Sequence, residues 1–128
     1  MALLSRDEIF SHDDHEYAIV PCPEWGGDVR VRSLTAREKD DYDSSLVQIK
    51  GDGSSKMNMK DFRVKLVLLA AVDEDGKPLF VPRDLDKLAK KSSRPIIRLA
   101  EKIGELSATD DEAIEDAAET FDSAQSDD

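Results

Sequence analysis

With 128 residues, a mass of 14.2 kDa, 39% hydrophobic and 37% charged side chains, the chain can build one small core and no second large domain. No apolar run approaches the roughly 20 residues of a membrane span, Asp7 and Glu8 break up the apolar start that a secretion signal needs, and the lone Cys22 leaves no internal disulfide or CxxC chemistry, so a reducing cytoplasm is expected. Of the net charge of −11, the last 22 residues carry −9 and contain no Lys or Arg, so residues 1–106 are nearly balanced and lack the field that captures nucleic-acid phosphates.

Ser5 and Glu8 stand at capping-box spacing and start a short helix. Tyr17-Ala18-Ile19-Val20 is rich in strand formers, and Val29 and Val31 alternate with Arg30 and Arg32 at the period of a half-buried strand. Pro23-Glu24-Trp25-Gly26-Gly27 between them predicts a reversal, hence a β-hairpin over about residues 16–33. Trp25, the only tryptophan, either packs on a helix at the open end of that hairpin or anchors a partner.

Thr35 and Glu38 repeat the box, and Tyr42, Leu46 and Ile49 recur at i, i+4 and i+7, which predicts a surface helix over about 35–49. Gly51 and Gly53, with Ser54 and Ser55, then predict a flexible loop, a secondary candidate for partner contact. The helix expected over about 59–72 is apolar on almost every face in its last two turns and must be buried on several sides. Asp73 to Pro78 makes a turn, and Leu79-Phe80-Val81 is expected to return to the core. A short helix over 82–91 places Leu85, Leu88 and Ala89 inward and ends in Lys87, Lys90 and Lys91, which suit the negative pole of its dipole. The last long helix, 94–106, has Pro95 in its first turn and Ile96, Leu99, Ala100, Ile103 and Leu106 on one side.

The expected fold is mainly α, of the α+β kind: a small N-terminal β-hairpin packed on a compact bundle of about four helices, together residues 1–107. An acidic, partly disordered tail follows over 108–128. Within the tail, Thr109 and Glu112 form a third capping box, and Ile114, Ala117, Ala118 and Phe121 trace a thin apolar stripe. Such a stripe is marginal alone and suits a segment that folds when a groove is offered. The acidic tail is read first as a solubilising element and second as a nucleic-acid mimic, which would make the chain an inhibitor.

Reactive chemistry is thin. His12 and His15 lack a third soft ligand, so no metal site is expected. Cys22 lies in a Pro-Cys-Pro stretch with no sequence-near cation to stabilise a thiolate. The glycine pairs lack the Lys and following helix of a phosphate loop, and Asp73-Glu74-Asp75-Gly76 lacks the ligand spacing of an EF-hand. No cofactor, no catalytic residue and no enzymatic activity are expected.

The order Pro23-Glu24-Trp25-Gly26-Gly27, Val29 to Glu38, an apolar helix running into Val72-Asp73-Glu74-Asp75-Gly76-Lys77-Pro78-Leu79-Phe80, and a helix ending Leu106-Ser107 resembles the tail assembly chaperones of long-tailed (siphovirus-type) bacteriophages, most like those of phages infecting Gram-positive hosts. The likeness covers about residues 16–115 and lies in order and spacing rather than in one motif. It implies a non-catalytic protein of the host cytoplasm that coats the tape-measure protein during tail tube assembly and is absent from the mature virion. It also implies a longer frameshifted form of the chain itself as a partner, with contacts to the major tail tube protein and self-association as further expectations, and no nucleic acid or membrane. A structural connector retained in the virion is the competing reading. The expected partner-binding residues are Ile96, Leu99 and Ile103 on the outer edge of the last helix, Ile114 and Phe121 beyond it, and Trp25; plain core is the alternative role for the first three.

Overall fold

The computed structural model describes residues 3–108. Helix α1, Arg6–Ser11, starts at the expected capping box: the Glu8 amide donates to Ser5 Oγ at 3.2 Å, and the Ser5 amide donates to Glu8 Oε1 at 3.4 Å. The expected hairpin is present as β1, Tyr17–Cys22, and β2, Gly27–Arg32, antiparallel and joined by a 3-10 turn over Pro23–Trp25. Gly26 closes that turn at φ +79°, a left-handed conformation that suits glycine. Ala18, Val20 and Cys22 face the core while Ile19 faces out, the period-2 alternation of a sheet with one wet face. Pro21 is tolerated because β1 is an edge strand, where no ladder donor is missed.

Helix α2, Ala36–Ser45, begins at its predicted box but stops four residues short of Ile49. Val47–Ile49 is instead strand β3, paired with β4, Ser55–Met57, in a second small hairpin. Tyr42 and Leu46 are buried as the helical stripe required, whereas Ile49 is 78% exposed. The cause is local: Val47 and Ile49 are β-branched, and the Lys50–Ser54 turn closes with the Lys50 amide donating to the Ser54 carbonyl at 2.7 Å, with Gly53 at φ +87°. The stretch expected to be a flexible loop is thus the end of a hairpin.

Helix α3, Phe62–Ala70, is the expected central helix, starting later than the sequence suggested because Asp61 sits in the left-handed region at φ 58°. Val64, Leu66, Val67 and Ala70 are buried. Instead of continuing, the chain becomes β5, Ala71–Val72, which adds a third strand to the sheet in the order β1-β2-β5. The turn after it is tight: the Asp73 amide donates to the Lys77 carbonyl at 2.8 Å, the Gly76 amide to the Asp73 carbonyl at 3.0 Å, and the Leu79 amide to the Ala71 carbonyl at 2.9 Å. Gly76 has φ +81°, and a Cβ there would lie 3.7 Å from Tyr17 Oη, an ordinary contact. Gly76→Val should therefore cost about 2 kcal/mol through backbone strain rather than a clash, read as a lower urea midpoint; an unchanged midpoint would show that the turn relaxes freely.

A 3-10 turn, Pro82–Asp84, leads into α4, Leu85–Ala89, in place of one continuous helix over 82–91. Leu88 is buried and Leu85 and Phe80 pack against the core as expected, whereas Ala89 is exposed and Leu79 and Val81 lie nearly half exposed. Helix α5, Ser93–Ser107, packs across β1 and β2 and against α3, and this junction is the core of the body. Its far end is tied to the segment between β2 and α2 by the Leu34 amide donating to Ser107 Oγ at 2.9 Å.

Candidate partner-binding surfaces

The last helix decides where partner contacts can be. Leu99 and Ile103 are 0% exposed and Ile96 is 5% exposed, all in the cluster formed with Val31, Val67 and Ala70. The three residues expected on the outer edge of that helix are therefore core, and a partner cannot touch them while the body is folded. Ile114 and Phe121 lie outside the described residues. Trp25 is half-buried and packs against the core from the 3-10 turn.

Trp25 also lines a cleft. With Phe80, Leu88, Glu24 and Lys91 it bounds an open hollow of about 480 Å³, and a smaller neighbour adds Asp84 and Lys87. The turn that carries Trp25 is fixed by a two-pronged ion pair: Arg98 Nη1 and Nη2 of α5 donate to Glu24 Oε1 and Oε2, each at 3.0 Å, and Nη1 also donates to the Pro21 carbonyl at 3.1 Å. The hydrogen bonds from Arg98 hold the Glu24 carboxyl down at about 2, from an ordinary 4.5. Arg98 stands beside Cys22 as well, a cation that the sequence neighbourhood did not reveal; burial still pushes the thiol up, so Cys22 is an inert core residue.

Two further surfaces are open, one apolar and one of mixed character. Helix α1 buries none of its residues, and Leu3, Leu4, Ile9 and Phe10 are exposed, Phe10 at 71%. A helix this short is not stable by itself in water. The groove between β1 and α5 is bounded by Ile19 and Pro21 on one side and by Glu101, Lys102 and Glu105 on the other. Sequence reasoning missed both, since no periodicity distinguishes an apolar residue waiting for a partner from one packed at home. The triplet Leu3, Leu4 and Ile9 beside a helix too short to fold alone was the available signal.

His15 Nδ1 lies 3.1 Å from the Ser33 carbonyl, a structural contact, and among the described residues no group of three or more His, Cys, Asp or Glu side chains could hold a metal ion. No helix among them is long and apolar enough to cross a membrane.

No protein-family model matches this sequence, and no curated protein matches it. The fold is similar to a solved structure described as the bacteriophage HK97 tail assembly chaperone, at a TM-score of 0.56 and 18% identity, over 78% of this chain and 88% of that one.

Proposed function

We propose that the chain is a phage tail assembly chaperone, a non-catalytic protein that holds the tape-measure protein soluble while the tail tube forms around it. The observation that carries this reading is the likeness of the fold to the HK97 tail assembly chaperone over most of both chains. It agrees with the order and spacing of the Trp25 hairpin, the apolar helix and the Asp73–Pro78 turn, which point to such chaperones of siphovirus-type phages, those of Gram-positive hosts in particular. Physical chemistry supports the role: a tape-measure chain exposes apolar stripes before assembly, and a holdase for it needs weak apolar contacts and a charge that opposes aggregation. Leu4 just before α1 and Ile9 and Phe10 on it, with Val47 and Ile49 on the β3–β4 hairpin, offer the first; the net charge of −11 offers the second. A longer frameshifted form of the chain and the major tail tube protein complete the proposed set of partners, in the host cytoplasm.

Co-expression of the chain with the tape-measure protein of its phage should move that protein into the soluble fraction, and Leu4→Ser with Phe10→Ser should reverse most of the gain without altering the fold, since both side chains are exposed. Tape-measure protein equally insoluble with and without the chain would overturn the reading. So would stoichiometric retention of the chain in purified particles, the mark of a structural connector.

A further inference from the structure

The cleft at Trp25 has an uneven character. Its apolar side is Trp25, Phe80 and Leu88; its polar side is Lys87 and Lys91, with Lys90 next to them and Arg83 in the preceding turn. The two acids on its border are already engaged, Glu24 by Arg98 at 3.0 Å and Asp84 by the Val81 amide at 2.9 Å. Among the described residues, Arg83, Lys87, Lys90 and Lys91 form no ion pair. Asp84 and Asp86 offset part of that charge, and the four cations still exceed these two acids; an aromatic hollow with excess positive charge on one side suits an acidic segment that carries a few apolar side chains.

The chain's own sequence after Ala108 has that composition. Ile114, Ala117, Ala118 and Phe121 recur at helical spacing among Glu115, Asp116, Glu119 and Asp122, without a Lys or Arg. The reach is sufficient. The 15 residues of α5 span about 21 Å at helical rise, its first residue follows Lys91 by two positions, and from Ala108 two extended steps and helical rise from 110 to Phe121 reach back about 23 Å. Tethering keeps the segment at a local concentration on the order of millimolar, so weak contacts suffice.

We propose that residues 110–122 dock in the Trp25–Phe80–Leu88 cleft of the same chain, with Phe121 against the aromatic side and the acidic side chains against Lys87 and Lys91. The docking is independent of the function proposed above. It gives the acidic segment a place on the body.

Trp25 is the only tryptophan, so its fluorescence reads the cleft directly. In the full chain, Ile114→Ser with Phe121→Ser should red-shift Trp25 emission and increase its quenching by acrylamide, and Lys87→Glu with Lys91→Glu should do the same; Lys56→Glu with Lys60→Glu, an equal charge change at exposed residues that do not line the cleft, should not. Far-UV circular dichroism checks that each variant is folded. A nitroxide on Ser123→Cys, placed there selectively because Cys22 is buried, should broaden the Trp25 indole NMR signal of its own chain. Unchanged emission in the first two double variants overturns the proposal. Broadening that arises only when spin-labelled chains are mixed with separate isotope-labelled chains overturns it too, because a second copy would then be the source of the segment.

Discussion

Leu99→Ala should lower the unfolding free energy of the body by about 3 kcal/mol, and the thermal midpoint by roughly 15 °C. Leu99 has no exposed surface and stands where α5 meets α3 and the sheet, so the truncation removes methyl groups from a place that can collapse only partly. For a domain whose whole stability is about 5–15 kcal/mol, that is a large fraction, and at growth temperature the variant should be lost to proteolysis or aggregation. The comparison that gives the result meaning is Leu4→Ser, which should leave the urea midpoint within the error of measurement because Leu4 is exposed ahead of α1. Loss of partner solubilisation in Leu99→Ala would therefore follow from unfolding, and in Leu4→Ser from a missing contact. A wild-type midpoint for Leu99→Ala would mean that α5 does not carry the core and that Leu99 is free to serve a partner.

That contrast marks how far the sequence could be read. Capping boxes are local chemistry, and Ser5–Glu8 and Thr35–Glu38 place two helix starts correctly. The first hairpin and the amphipathic last helix were legible for the same reason, since their period is written in neighbouring residues. What decides β3 is a competition that the pattern cannot rank: Tyr42, Leu46 and Ile49 satisfy a helix, yet the strand-forming Val47 and Ile49 and a glycine turn win because β4 comes back to pair with them. Strand β5 is two residues long and exists only because β2 is beside it. The pairs that lock the body, Arg98 with Glu24 and Arg32 with Glu38, join residues 74 and six positions apart with no spacing rule between them. An amphipathic stripe tells which face of α5 is apolar, not whether this chain or another covers it, and so Ile96, Leu99 and Ile103 could not be assigned without the fold.

Glu38→Gln should cost about 2 kcal/mol at neutral pH and flatten the acid limb of the stability curve. Glu38 receives two hydrogen bonds from Arg32, Nη1 to Oε1 at 2.7 Å and Nη2 to Oε2 at 2.8 Å, and its Oε1 also accepts the Thr35 amide at 2.9 Å. Arg32 further donates to the Leu69 carbonyl at 3.2 Å, so one guanidinium ties β2 to the start of α2 and the end of α3. The two side chains are only 12% and 25% exposed, which leaves little water to replace the lost partner. The Arg32 hydrogen bonds hold the Glu38 carboxyl below its ordinary value, and the pairing pushes the guanidinium up, so Arg32 stays charged throughout. As acid is added, the unfolded chain takes up a proton on Glu38 before the folded chain does. The stabilisation from this carboxylate is therefore complete above about pH 4.5, the ordinary value, and declines as pH falls through the depressed one. Glu24, held at about 2 by Arg98, carries the same decline further down, and Asp52, lowered by its bonds from Ser54, adds in the same direction. Urea midpoints of wild type should thus fall between about pH 4.5 and 2, while those of Glu38→Gln start lower, fall less, and approach the wild-type values at the acid end. Two curves that run parallel down to the acid end would show that Glu38 does not titrate with folding, and that the pair with Arg32 is not what joins the sheet to the two helices.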